Sequence, residues 1–187
     1  MSYFAFVMAA NSTDAIQYLV RTCSLGALLV ASTDRGVCAI LLGDQAQALI
    51  EDLQLRFPNA NLDAVHSTKA MKAELEKIAL RAAECVDIPS TSFEFPLDMQ
   101  GTPFQQQVWK TLQQIPVGQT RSYSEIAQQI GRPQSARAIA GACAANPIAV
   151  IVPCHRVVRH DGALSGYRWG IERKRNLLER EAARARV

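Results

Sequence analysis

Two capping boxes decide what the second half of this chain can fold into. Thr102-Pro103-Phe104-Gln105 sets a threonine three residues ahead of a glutamine and puts proline at the first helical position, a combination that satisfies the free amides of a helix start. Phe104, Val108 and Leu112 then recur on one face until Pro116-Val-Gly118 stops the run. Ser122-Tyr-Ser-Glu125 opens a second, shorter helix with Ile126 and Ile130 inward, Gly131-Arg132-Pro133 closes it, and 134–145 reads as a third. Two short helices joined by a glycine-bearing turn predict a helix-turn-helix unit. Its second helix is unusual as a reader: after Gln134 and Ser135 come Ala136, Ala138, Ala140, Gly141, Ala142, Cys143, Ala144 and Ala145. Base edges in a major groove are read by Arg, Lys, Asn or Gln, and only Gln134 and Arg137 are long enough here. Sequence-specific regulation is therefore disfavoured. The small residues suit either a close approach to a groove without base preference or packing against a crowded core.

The first half follows another period. Apolar stretches at 16–21, 27–32 and 37–42 are divided by Leu25-Gly26 and Thr33-Asp34-Arg35-Gly36, which are strand and turn signals. Gly43-Asp44 precedes a helical stretch with Ala48, Leu49, Leu53 and Phe57 three or four residues apart, stopped by Pro58. A second helix covers about 68–85, and 93–97 is either one more strand or an extended linker. The predicted fold class is α/β followed by α: a small N-terminal sheet with helices in residues 1–98 and a mainly helical unit in 99–187, cut near Met99-Gln100-Gly101.

Charge divides along the same line. The whole chain carries +3, but residues 1–100 hold 7 Lys/Arg against 12 Asp/Glu and residues 101–187 hold 13 against 5. A basic half beside an acidic one points to a polyanion meeting the C-terminal part, or to a solvated basic surface. The apolar Met1–Ala10 stretch has no positive flank and is too short to span a bilayer, so the expected setting is cytoplasmic or nucleoid-associated, with no membrane partner. Cys23, Cys38, Cys85, Cys143 and Cys154 are odd in number and form no C-x-x-C pair, so free thiols are expected, with no metal and no cofactor. Cys23, Cys38 and His66 remain a grouping that folding could bring together.

In Ile151-Val-Pro-Cys154-His-Arg-Val-Val158 a cysteine adjoins a histidine after an apolar run. Arg156, Arg159 and Arg168 lie nearby in sequence, and positive neighbours lower a thiol pKa, so an active thiolate is expected; the bland alternative is a buried cysteine beside a structural histidine. Pro153-Cys-His-Arg-Val157, with Asn146-Pro and the helix-turn-helix before it and Gly166-Tyr167 after it, resembles the active-site region of the O6-alkylguanine-DNA alkyltransferase family. The resemblance extends to Gly36-Val-Cys-Ala-Ile-Leu-Leu-Gly-Asp44 in the first half and Phe104-Gln-Gln-Gln-Val-Trp109 in the second, and so covers essentially the whole chain.

That resemblance implies a ribonuclease H-like N-terminal unit and a winged helix-turn-helix-like C-terminal one. It implies Cys154 as alkyl acceptor, His155 as the base that deprotonates it through a bridging water, and Glu181 as the carboxylate orienting the histidine. Asn146 would tie the recognition helix to the active-site loop. Tyr123 would press on a phosphate and bond N3 of the extruded base, Arg137 would fill the vacated stack, and Gln134, Ser135, Ala138, Gly141 and Arg156 would complete the DNA contacts. Val157, Tyr167, Arg168 and Trp169 would line the pocket with Tyr123. The implied partner is duplex DNA containing O6-alkylguanine, met through the minor groove by a monomer. A thioether has no acyl carbon for water to attack, so transfer to Cys154 would consume the protein. Removing the Glu181 carboxylate is expected to slow transfer and spare the fold. The rival reading is a DNA-binding regulator whose cysteine is structural.

Overall fold

The structure, a computed structural model, describes residues 15–64, 69–89 and 92–184; the Met1–Ala10 stretch and His66 lie outside them. Strands β1 (Ala15–Cys23), β2 (Gly26–Thr33) and β3 (Gly36–Gly43) form an antiparallel meander. Gly26 turns the first corner at φ +108, where an added Cβ would lie 2.5 Å from the Gly43 carbonyl oxygen. Residues 27–31 of β2 and 37–42 of β3 are continuously buried, so both faces of these strands are covered, which is why they read as unbroken apolar runs. Helix α1 (Ala46–Arg56) packs on β2 and β3, and helix α2 (Lys69–Asp87) on β1 and β2.

The sheet has a fourth strand that the sequence pattern does not announce. β4 (Asn61–Ala64) runs parallel to β1 at the edge, giving the order β3-β2-β1-β4. Asn-Leu-Asp-Ala carries no β-branched residue and no alternation strong enough to mark it. Residues 93–97 prove to be the extended linker, with one bridge from Leu97 to Val37; Pro96 has no amide to donate and its carbonyl accepts from Val37 N at 2.8 Å. Farther along β3, Ile40 N donates to the Pro147 carbonyl at 2.9 Å and Ala149 N to the Ile40 carbonyl at 2.8 Å. The exposed edge of β3 is thereby covered twice, and the second cover is the loop that leads to Cys154.

The second half comprises α3 (Pro103–Leu112), β5 (Arg121–Ser122), α4 (Tyr123–Gln129), α5 (Ala136–Ala145), a single 3-10 turn (Cys154–Arg156), β6 (Val157–Val158) and α6 (Ile171–Arg184). Both capping boxes form, with Gln105 N to Thr102 Oγ1 and Glu125 N to Ser122 Oγ each at 3.2 Å. α5 begins at Ala136 rather than at residue 134, because Ser135 N closes a turn onto the Arg132 carbonyl at 2.9 Å and leaves Gln134 in the loop. Trp109, 1% exposed, donates from Nε1 to the Ala142 carbonyl at 2.9 Å and locks α3 to α5. Arg173 bonds the Leu25 carbonyl and Asp44, and Arg180 bonds Ser24 and the Val86 carbonyl, so α6 is fastened to the first half. One hydrophobic core runs from Ile16 through Ile148 to Leu177 and joins both halves. Among the described residues no helix is long and apolar enough to cross a membrane.

Candidate active site

Cys154 stands at the start of the 3-10 turn, 4% exposed, at the end of a loop organised by one amide. The Nδ2 group of Asn146, fully buried at the end of α5, reaches the Val152 carbonyl at 2.8 Å, the Ile148 carbonyl at 3.2 Å and Cys154 Sγ at 3.2 Å. Its Oδ1 accepts from Ile148 N at 2.9 Å. Two N–H groups thus serve three acceptors, and the loop wraps around them. Val150 inside it sits at φ 67, a left-handed conformation that costs a β-branched residue about 1–3 kcal/mol and persists only where the surroundings impose it.

Burial raises the Cys154 thiol to about 11, against the downward pull of the Asn146 hydrogen bond and of the Lys174 and Arg56 charges. This corrects the expectation of a thiol lowered by Arg156, Arg159 and Arg168. Arg159 pairs with Asp161 at 3.7 Å on the surface, Arg168 pairs with Asp52, and Arg156 is committed elsewhere. With so little thiolate at neutral pH, the sulfur needs a base.

The expected base and carboxylate lie together. His155, fully buried, bonds Glu181 Oε1 through Nε2 at 2.8 Å. Arg156 lies against the same carboxylate, with Nε 3.0 Å from Oε2 and Nη2 2.9 Å from Oε1, while its Nη1 donates to the Ile115 carbonyl at 2.5 Å. Gly118 N adds a bond to Oε2 at 3.3 Å. Burial alone would raise the Glu181 carboxyl, but the His155 bond and the Arg156 guanidinium outweigh it and hold it at about 2. A carboxylate only accepts, so the histidine proton resides on Nε2 and Nδ1 keeps its lone pair. Burial lowers the His155 pKa, and Nδ1 is buried with no partner among the described residues. Arg156 is therefore not the DNA-facing residue that its place in the motif suggested: it is 8% exposed and neutralises Glu181.

Sequence reasoning missed Lys174. Its side chain is fully buried, donating from Nζ to the Val157 carbonyl at 2.5 Å and to Ser165 Oγ at 3.1 Å, and Ser165 Oγ lies 2.6 Å from Tyr123 Oη. Burial lowers its pKa while the neighbouring Cys154 and Cys143 sulfurs pull it up. A signal was available: the buried positions of α6 are Lys174, Leu177 and Glu181, a helical stripe in which two of three core places hold charges. The parallel pair β5–β6 sets Ser122 beside Val158 and so delivers Tyr123 to this side of the site. Val157 is buried, and Tyr167 meets Trp169 edge-on at 5.1 Å and His155 at 6.4 Å between ring centroids.

The expected DNA face separates from the core by helical spacing. Ile139, Ala142 and Cys143 point inward, whereas Arg137, Ala138, Gly141 and Ala144 are exposed on one side of α5, with Gln134 exposed just before it and Ser135 half-buried at its N-cap. A Cβ added at Gly141 would meet nothing within 4 Å. The small residues thus divide between the core and an open, exposed face. Among the described residues no group of three or more His, Cys, Asp or Glu could hold a metal ion.

Residues 103–183 match the family model described as 6-O-methylguanine DNA methyltransferase, DNA binding domain. The chain is 49% identical over 168 residues to the bifunctional transcriptional activator/DNA repair enzyme Ada of Escherichia coli, an alignment covering 90% of this chain and 46% of that protein. It is 60% identical over 95 residues to a methylated-DNA–protein-cysteine methyltransferase of Mycobacterium bovis, covering 51% of this chain and 58% of the relative. The chain spans about half the length of these curated relatives. Among solved structures, OGT of Mycobacterium tuberculosis in complex with DNA superposes with a TM-score of 0.72 at 37% identity, covering 90% of this chain and 94% of the other.

Proposed function

Because the chain belongs to the O6-methylguanine-DNA methyltransferase family, we propose that it repairs alkylated DNA by accepting the alkyl group of O6-alkylguanine on Cys154, once per molecule. The observation that carries this reading is a buried thiol bonded by Asn146 and followed directly by a histidine whose far nitrogen is held by an ionised carboxylate. His155 Nδ1 draws the thiol proton through a bridging water, and the sulfur attacks the alkyl carbon. A carbon–sulfur bond forms, the carbon–O6 bond breaks, and its electron pair stays on the guanine, which must then take up one proton. The Lys174–Ser165–Tyr123 chain suits that delivery, with Tyr123 facing N3 of the extruded base. O6 of a paired guanine cannot align with so buried a sulfur, so the base must be flipped out.

Residues 1–98 would then be a ribonuclease H-like unit bracing the acceptor loop. Residues 99–187 would be a winged helix-turn-helix unit whose exposed α5 face enters the minor groove, with Gln134, Ser135, Arg137, Ala138 and Gly141 against the DNA. Incubation with excess duplex bearing O6-methylguanine should add one methyl mass to the Cys154 peptide and restore guanine in place. Repeated turnover, or methyl found on Cys143, would overturn the assignment. Arg137→Ala should slow repair in duplex at least tenfold while changing reaction with free O6-methylguanine less than twofold, measured as single-turnover rates. Equal slowing of both would remove Arg137 from base extrusion. Binding to an unmodified duplex should weaken steeply as salt rises, as phosphate contacts release counterions.

A further inference from the structure

Between Gly166 and Gly170 the chain carries Tyr167, Arg168 and Trp169, three bulky residues on a short loop with glycine at each end, the second at φ +98. The loop walls the acceptor site, since Tyr167 packs edge-on to both His155 and Trp169. Its own polar atoms do little to hold it: Tyr167 Oη and Trp169 Nε1 are buried with no partner among the described residues. Hydrogen bonds hold its far end, where Gly170 N donates to the Tyr167 carbonyl at 3.0 Å and the Arg173 side chain, through Nη1, to the Trp169 carbonyl at 2.9 Å.

Trp169, 5% exposed, seats the C-terminal side of the loop in the hydrophobic core, and a further tie crosses to the first half. Arg168 pairs through Nη2 with Asp52 Oδ1 on α1. The other oxygen of Asp52 accepts from Arg56 Nε at 3.1 Å, and Arg56 Nη1 reaches the Ala145 carbonyl at 3.4 Å, next to the Asn146 that bonds the acceptor sulfur. One carboxylate on α1 thus links the 166–170 loop to the end of α5. Asp52 is held there firmly, because Arg56 is largely buried beside it, whereas Arg168 is 40% exposed and can let go without leaving a buried charge.

We propose that Asp52 latches the 166–170 loop shut through Arg168, so that helix α1 sets how large an O6 substituent the acceptor pocket admits. A methyl group fits with the latch closed. A benzyl group needs the Tyr167 side of the wall to move out from Gly166, and the ion pair opposes that movement. Arg168, expected from the resemblance to line the pocket, turns instead to Asp52 on α1 and is accordingly a specificity-determining position acting through that pair.

The inference rests on Cys154 as alkyl acceptor, and the test keeps the two apart. Single-turnover rates are measured for wild type, Arg168→Gln and Arg168→Glu on duplexes bearing either O6-methylguanine or O6-benzylguanine, with the Cys154 peptide weighed in each case. Gln and Glu have nearly the same size, but Gln only loosens the pair while Glu repels Asp52. The benzyl-to-methyl rate ratio should rise about fivefold in Arg168→Gln and further, above tenfold, in Arg168→Glu. An unchanged ratio overturns the latch while leaving the acceptor reading intact if wild type still gains one methyl on Cys154. An equal rise in both variants assigns the effect to the bulk of the arginine and equally overturns it. A parallel fall of both rates places Arg168 in the binding of DNA instead. Since the substituted side chain is exposed and leaves the Asp52–Arg56 pair untouched, folding is preserved, and the melting temperature confirms it.

Discussion

His155→Gln should lower the single-turnover rate at pH 7 by about 10²–10⁴, the usual contribution of a positioned general base. The substitution keeps a donor for Glu181 Oε1 and deletes the basic nitrogen. The size of the loss follows from the thiol: with burial holding Cys154 at about 11, only roughly one molecule in ten thousand carries a thiolate at pH 7. In wild type the buried histidine stays neutral across neutral pH, because burial lowers its pKa, so the base is always available and the rate should be nearly flat from about pH 7 to 9. In the variant the reaction must wait for spontaneous ionisation. Its rate should climb about tenfold per pH unit toward the thiol pKa and approach that of wild type in alkali. Quenched alkyl-transfer assays at several pH values, on protein shown folded by circular dichroism, decide this. A variant as fast as wild type with the same flat profile would mean that the sulfur is activated by Lys174 and Arg56 alone.

How far the residues disclose this arrangement depends on where the information is stored. Both capping boxes, the three meander strands and the helices that stop short of Pro58 and Gly131 are written in local sequence, because caps, turns and apolar periodicity involve neighbours a few residues apart. Cys154, His155 and Asn146 share one short loop and were legible for the same reason. Strand β4 was not, since it exists only by pairing with β1, nearly fifty residues away along the chain. Arg156 misled because its neighbours in sequence are the proposed acceptor and base, while its side chain follows the 3-10 turn inward to meet Glu181. The Arg168–Asp52 tie joins residues from opposite halves, and no spacing rule reaches that far. The buried stripe of α6 lies between these cases: Glu181 was named through the family resemblance alone and Lys174 was missed, although both fall at core positions of the helix.

Glu181→Gln should cost more than the rate alone, contrary to the expectation that the fold would be spared. Glu181 is 3% exposed and is the counter-charge of a buried Arg156, so replacing it leaves a guanidinium uncompensated. Its carboxyl is held at about 2 against an ordinary 4.5, which corresponds to about 3 kcal/mol of stability at neutral pH. A depressed carboxyl contributes that stability above its unfolded pKa and loses it as pH falls through the folded one. The stability gap between wild type and variant should therefore be widest near pH 6–7 and close between about pH 4.5 and 2, as urea titrations at each pH would register. Loss of the carboxylate also frees the His155 tautomer and withdraws the charge that favours its protonated form, so the transfer rate should fall in the same variant. Destabilisation and loss of orientation can be separated by a second change. Arg156→Met alongside Glu181→Gln removes the stranded charge while leaving the histidine without its carboxylate. The double variant should regain most of the lost stability yet remain at least tenfold slow, a non-additive result in stability and a persistent deficit in rate. If the rate returns together with the stability, Glu181 serves only to neutralise Arg156, and the orientation of His155 must come from its burial against Tyr167.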